Sequence, residues 1–247
     1  EQILKIKNDF KTRLQRKVEG LRAYCNDEVR RFYVQKSIDE AKDFLDLRGT
    51  EKINDRVCKA GELTDSIDYY LRTKNIDKAL AIYNDLMAKK YECMRKPFDT
   101  FCSFIDYYTK NNEFEKANEM FLKAEDKLQE LGNDTSPIGS ISILINFLAH
   151  YNKNKAWEYF EKYIHWCIGD TEEVQFKLAK NMLYLLKNYE KRTMNINANI
   201  PWYQYDNTYD TIELYNYYYN EALELAKRFD ARNGTNFFMQ QHETSNN

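Results

Sequence analysis

The chain has 247 residues, of which 43% are hydrophobic and 31% are charged, with a formal net charge of -2 at pH 7. Seven glycines and three prolines are too few for the many tight turns of a β-sandwich or barrel, and 15% aromatic residues are too many for a disordered polyelectrolyte. The composition predicts an all-α protein without a membrane span, and the near-neutral charge is not typical of a general nucleic-acid-binding protein.

The first 47 residues predict one or two amphipathic helices with a basic face. Apolar residues recur every three or four positions from Ile3 to Leu21. Residues 1–36 hold ten lysines and arginines against five acidic residues, a net +5, so the remainder carries -7. This basic face is either an ordinary solvated helix surface or a surface that binds RNA. In the second interpretation, the binding residues are Lys5, Lys7, Lys11, Arg13, Arg16 and Lys17.

After a predicted connection over residues 48–62, the sequence repeats itself at a spacing of 38 residues. The string IDYY occurs at Ile67–Tyr70 and at Ile105–Tyr108, and the same offset relates Ala79 to Ala117 and Tyr83 to Phe121. A weaker third copy has Ala156 and Phe160 in the equivalent places. A period of this length is typical of stacked helical hairpins, in which the small alanine allows two helices to approach closely. The sequence therefore predicts an α-solenoid of stacked helix-turn-helix repeats with irregular flanking helices.

The C-terminal third predicts two helices separated by a long loop. Residues 171–190 have helical periodicity, residues 191–210 are rich in asparagine and tyrosine, and Thr211–Arg232 predicts the last helix. A loop of this length is either functional or mobile, and the polar tail from Asn233 is predicted to fray. The predicted organisation is therefore residues 1–60, 61–170, 171–232 and a flexible tail, 233–247.

An aromatic cluster lies in and after this loop. Tyr215, Tyr218 and Ala222 share one helical stripe and are predicted to pack in the core. The other rings either pack as well or form a surface that binds a partner, because tyrosine supplies contact area at low entropic cost. The partner-binding candidates are Trp202, Tyr203, Tyr205, Tyr209, Tyr217 and Tyr219.

The sequence contains no recognisable catalytic motif. His150, His165 and His242 are the only histidines, the five cysteines include no C-x2-C pair, and no phosphate-binding or nucleophile-elbow motif occurs. We therefore expect no catalytic residues, no metal site, no cofactor and no small-molecule substrate.

The segment TFCSFIDYYTKNNEFEKANEMF, from Thr100, resembles the pentatricopeptide repeat, and the resemblance covers about residues 60–165. Tetratricopeptide repeats are the near alternative. They require glycine or alanine where this chain has Ile67 and Ile105, which favours the pentatricopeptide pattern. The resemblance implies single-stranded RNA binding at one base per repeat, with the base-reading positions falling at Thr64, Cys102 and Ser142.

Together these observations favour a non-catalytic helical-repeat protein of mitochondrial RNA metabolism or translation. It would bind single-stranded or ribosomal RNA, or act as a component of a ribosomal or RNA-processing assembly. The resemblance implies the mitochondrial matrix, with the cytoplasm or nucleus as alternatives. The alternative function is a tetratricopeptide-like scaffold that holds protein subunits in a multiprotein complex.

Overall fold

A computed structural model of the chain describes residues 25, 28–29, 38–50, 58–89, 93, 95–132, 134–187 and 190–244. This described part contains ten α-helices and one two-stranded sheet, which confirms the all-α prediction. The chain divides into two compact units, residues 1–100 and residues 101–247.

The first unit contains α1 (Ile38–Thr50), α2 (Lys59–Arg72), α3 (Ile76–Ala88) and the start of α4 (Arg95–Lys110). Buried Arg48 joins α1 to α2, because its guanidinium donates to the Glu62 carbonyl at 2.9 Å and lies 3.7 Å from the Asp65 carboxylate. Beside this contact, α1 and α2 share a small apolar core that includes Phe44 and Tyr69.

The second unit contains the remainder of α4 and the following elements: α5 (Phe114–Leu131), α6 (Ile138–Tyr151), α7 (Lys153–Tyr163), a 3-10 turn (Ile164–Cys167), α8 (Glu172–Leu186), β1 (Lys191–Thr193), β2 (Thr208–Asp210), α9 (Thr211–Asn233) and α10 (Phe237–Thr244). Helix α6 is the centre of this unit, since most of its residues are buried and it contacts α5, α7 and α8. None of the helices in the described ranges is long and apolar enough to cross a membrane.

The two clear copies of the repeat form hairpins with the same turn. In the first copy, the Asn75 amide donates to the Tyr70 carbonyl at 2.8 Å, and in the second the Glu113 amide donates to the Tyr108 carbonyl at 2.9 Å. The preceding residue is left-handed in both, with φ of 57° at Lys74 and 58° at Asn112. Equal sequence spacing therefore corresponds to equal backbone geometry.

The third copy has a shorter turn and the same buried alanine. Asn152 alone separates α6 from α7, and its side chain caps α7 by accepting a hydrogen bond from the Lys155 amide at 3.2 Å. The packing alanines of the three copies, Ala79, Ala117 and Ala156, are all 0% exposed. The small residue predicted at each helix crossing is therefore buried in every copy.

Within the second unit, polar contacts join helices that are not neighbours in the chain. The second helices α5 and α7 meet where Glu125 accepts from the Tyr159 hydroxyl at 2.6 Å and pairs with Lys155 at 2.8 Å. The helices α6 and α8 meet where buried Asn181 donates to the Ser142 hydroxyl at 2.8 Å. In the described part of this unit, α6 thus contacts α8, and α5 contacts α7.

The structure adds two elements that the sequence did not predict. Lys191–Thr193 and Thr208–Asp210 pair as antiparallel strands, with Arg192 opposite Tyr209, and three-residue strands are too short to show an alternating pattern. In place of the expected frayed tail, α10 packs Phe238 on Phe229 at a ring distance of 4.7 Å. The Asp230 carboxylate also accepts from the Met239 amide at 2.8 Å, which fixes the start of α10.

Candidate ligand-binding site

The connection between α8 and α9, described over residues 190–210, folds back onto the helices through Trp202. The Trp202 indole N–H donates to the Tyr218 hydroxyl at 3.1 Å, and its ring stacks on Phe160 of α7 at 5.9 Å. Tyr209 is almost fully buried and meets the Trp202 ring edge-on at 5.5 Å. The predicted long loop is therefore held against α7 and α9 by aromatic packing.

A cavity of about 150 Å³ lies between this connection, α8 and α9. Engineered cavities of about that volume accept a molecule as large as benzene. Its lining combines aromatic, aliphatic and polar groups: Cys167, Ile168, Gly169, Gln175, Leu178, Asn199, Ile200, Pro201, Trp202, Tyr217, Tyr218 and Glu221. We call it the Trp202 cavity.

Glu221 is the charged group of the Trp202 cavity. Burial raises the pKa of this carboxyl above its ordinary value, and a hydrogen bond from the Tyr217 hydroxyl partly opposes the rise. Tyr217 lies one helical turn before Glu221 on α9, so the phenol and the carboxylate face the same side of the helix. No lysine or arginine forms an ion pair with Glu221 in the part of the chain that the structure describes.

The other ionisable groups of the cavity stay neutral at pH 7. Burial raises the pKa of the Cys167 thiol to about 11, helped by the negative charge of Glu221. Burial also raises the pKa of the Tyr217 and Tyr218 hydroxyls. A thiol that remains protonated is a poor nucleophile and a poor metal ligand, so the cavity is suited to binding rather than to thiolate chemistry.

The six partner-binding candidates are dispersed. Trp202 and Tyr217 line the Trp202 cavity, whereas Tyr209 is buried behind it. Tyr205 is 94% exposed at the tip of the connection, and Tyr203 is partly exposed nearby. Tyr219 points elsewhere on α9 and packs against His242, with ring centroids 4.7 Å apart. The structure thus brings two of the six together in one site.

The RNA-binding candidates divide into buried and undescribed residues. Thr64 is buried, and its hydroxyl lies 2.9 Å from both the Thr100 hydroxyl and the Ala60 carbonyl. Cys102 and Ser142 are also buried, and Ser142 donates to the Gly139 carbonyl at 2.8 Å. In this structure none of the three is accessible to a base. Lys5, Lys7, Lys11, Arg13, Arg16 and Lys17 lie outside the described residues.

Sequence reasoning missed Glu221, Gln175 and the contribution of Cys167 to the cavity. A pairing of Tyr217 with Glu221 at a spacing of four residues was the available signal, since such pairs are neighbours on a helix. Nothing in the sequence, however, shows that residues 199–202 fold over this pair. Among the described residues, no three His, Cys, Asp or Glu side chains come together as a metal-binding group.

The described residues define an all-α protein with a small cavity lined in part by aromatic side chains. Comparison of the chain with protein-family models, with curated proteins and with solved structures found no match.

Proposed function

We propose that the protein is a helical-repeat interaction scaffold, a non-catalytic subunit that holds protein partners in a multiprotein assembly. In this proposal the hairpins stack as an α-solenoid, and the aromatic connection over α8 and α9 supplies a partner surface. The proposal rests above all on the repeated hairpin, since the same turn recurs in the first two copies and the same buried alanine recurs in all three.

The packing order within the second unit supports stacking. Helices α6 and α8 contact through Ser142 and Asn181, and α5 and α7 contact through Glu125 and Tyr159. A repeat protein buries the apolar face of each hairpin against the next hairpin in this way, which leaves extended outer surfaces for recognition.

Charge and burial favour a protein partner over RNA for these hairpins. Residues 37–247 carry a net charge of -7, which repels a phosphate backbone. The hydroxyls of Thr64 and Ser142, which the family resemblance assigns to base reading, are used in contacts between helices. A partner with basic side chains is a better electrostatic complement.

The net charge of +5 in residues 1–36 favours a second candidate, RNA binding in a mitochondrial ribosomal or RNA-processing assembly. Lys5, Lys7, Lys11, Arg13, Arg16 and Lys17 would then neutralise phosphates, so affinity would fall steeply as salt is raised. In this candidate the hairpins hold the basic segment within the assembly and do not read the bases.

Purification of the tagged endogenous protein, with and without nuclease, tests the two candidates. The scaffold proposal expects stoichiometric protein subunits that stay bound after nuclease treatment and after charge reversal of the six basic residues. RNA binding expects recovery to depend on nuclease and on those six residues. A monomeric protein free of both protein and RNA would contradict both.

A pair of tyrosine substitutions locates the partner surface. Tyr205→Ser removes a ring that is 94% exposed at the tip of the connection, and we expect it to reduce recovery of the protein subunits. Tyr151→Ser removes a 40% exposed ring at the end of α6 and is the matched control. Equal recovery from both variants would mean that the connection is not the partner surface.

A further inference from the structure

The Trp202 cavity combines aromatic walls with one carboxylate that lacks a cationic partner among the described residues. Trp202, Tyr217 and Tyr218 supply rings, and Glu221 supplies the charge. Organic cations are attracted to the faces of such rings, most strongly to tryptophan, and more so where water is excluded. A half-buried carboxylate gains further when a cation arrives, because its desolvation is then offset by charge pairing.

The size of the cavity limits the cation. A volume of about 150 Å³ accepts a group of the size of tetramethylammonium or the end of a lysine side chain, but not a folded peptide segment. The site is therefore suited to one side-chain terminus rather than to a helix or a strand.

Two exposed apolar residues that line the cavity, Ile168 and Pro201, form a rim that the methylenes of a lysine side chain would contact. Ile168 is 47% exposed, and Pro201 is also exposed. Lysine carries four methylenes, which favour an apolar surface while the charged end reaches a polar partner. A free inorganic cation would make no use of this rim.

From these features we infer that the Trp202 cavity binds an alkylammonium group, supplied by a lysine side chain of a protein partner. The source of the group rests on the proposed scaffold function, whereas the affinity of the cavity for an alkylammonium ion does not. The net negative charge of residues 37–247 would help to attract a lysine-rich surface.

An NMR titration of the full chain tests the cavity directly. The indole N–H signal of Trp202, assigned with Trp202→Phe, is followed during addition of tetramethylammonium chloride against sodium chloride at equal ionic strength. We expect saturable shifts with a Kd on the order of 1 mM, as befits a ligand of few atoms. The neutral isostere tert-butanol should bind at least tenfold more weakly.

Two glutamates on α9 provide a matched pair of variants. Glu221→Gln removes the charge in the cavity and should weaken tetramethylammonium binding at least tenfold. Glu224→Gln removes an exposed charge one turn later, whose side chain is 68% exposed and pairs with Lys227, and should leave binding unchanged. Equal binding of tetramethylammonium and tert-butanol to the unmodified chain, or equal binding by both variants, would overturn the inference.

A second pair of probes tests the source of the ammonium group. Nα-acetyl-lysine methylamide should displace tetramethylammonium, whereas the norleucine analogue, which lacks the charge, should not. If no ammonium probe binds but protein subunits still co-purify, the cavity inference is wrong and the scaffold function stands. If the probes bind but no protein co-purifies, the scaffold and its lysine are wrong and only the cation site stands.

Discussion

The short-turn hairpins and the α8–α9 pair bring two helices together in different ways. In the hairpins, a few residues with fixed hydrogen bonds close the turn, and a buried alanine such as Ala79 or Ala117 sets the helix contact. Between α8 and α9, residues 190–210 form a strand pair and an aromatic cluster around Trp202. The short turns leave the helices closely packed, whereas the long connection leaves a cavity that is lined in part by the ionisable side chain of Glu221.

This comparison separates the residues that stabilise the helix packing from the residues that line the candidate site. The turn that the first two copies share supports the same packing contact in both, so its residues contribute to stability. Helix α9 carries Glu221 beneath the connection, in a half-buried place without an ion pair among the described residues, and this arrangement costs stability. Sites of ligand binding commonly retain such unfavourable groups, because the ligand compensates them.

The largest expected effect concerns the aromatic of a short-turn hairpin. Phe121 is buried on α5 between Phe147 and Tyr159, with ring distances of 5.7 and 5.9 Å. Phe121→Ala should lower the free energy of unfolding by about 3–5 kcal/mol, because it leaves a cavity in the core. Denaturant unfolding followed by tryptophan fluorescence reports on this unit, since all three tryptophans lie within residues 101–247.

Two control variants show whether the loss of stability is specific to the buried ring of the hairpin. Leu122→Ala, at an exposed neighbour, should change the free energy of unfolding by less than about 0.5 kcal/mol. Trp202→Ala, in the partly exposed connection, should cost less than Phe121→Ala. A cost for Trp202→Ala as large as that for Phe121→Ala would show that the connection is as central to stability as the hairpins.

The next effect concerns the alanines at the helix crossings. Ala79→Leu and Ala117→Leu should each destabilise by about 1–3 kcal/mol, because three extra carbons must enter a fully buried helix contact. Ala81→Leu, on an exposed position of α3, is the control and should be nearly neutral. The two test variants should agree with each other by circular dichroism in denaturant, and clearly unequal costs would mean that the copies do not share one packing role.

A smaller effect distinguishes the turns of the first two copies. Lys74 and Asn112 have the same left-handed backbone, which asparagine tolerates better than lysine. Lys74→Asn should therefore stabilise the first hairpin by about 0.5 kcal/mol, and Asn112→Lys should destabilise the second by a similar amount. Effects of the same sign in both variants, measured by thermal unfolding, would contradict equivalence of the turns.

The smallest expected effect is a pH dependence of the free energy of unfolding, caused by the Glu221 carboxyl in the cavity. Because burial raises the pKa of Glu221, the folded chain holds this proton more tightly than the unfolded chain. The stability that this group contributes is complete below its ordinary pKa of 4.5 and is lost as the pH rises through the folded pKa.

Glu221→Gln removes the loss of stability that accompanies ionisation of this carboxyl. The variant should be more stable than the unmodified chain at pH 7, with a difference that vanishes below pH 4.5. Denaturant unfolding at a series of pH values measures the difference, and Glu224→Gln, which removes an exposed charge on the same helix, serves as the control. A difference that stays constant with pH would mean that the Glu221 charge is not responsible for it.

Much of the helical framework was predictable because its signals are local. The 38-residue spacing from Ile67 to Ile105 located two hairpins and their turns, and the pattern from Thr211 onward predicted α9 within one residue of its end. The strand pair and α10 were not predictable. Three-residue strands have no readable period, and α10 depends on Phe229 and Asp230, which belong to α9.

The candidate site was predictable only in part. Trp202 and Tyr217 were singled out as unusual aromatics, yet Tyr203 and Tyr219, which were singled out with them, do not line the cavity. Composition shows that rings are abundant in this segment, but it does not show which rings the connection covers. Glu221 resembles any surface glutamate until the fold of residues 199–202 is known.

The sequence by itself determined the helical class, the repeat and the residues that close each short turn, because periodicity and turn chemistry act over a few residues. Only the tertiary structure decided which hydroxyls became buried helix contacts and which carboxylate came to lie beneath Trp202. Burial and charge pairing depend on segments that meet across large distances in the chain, and such meetings leave no local pattern.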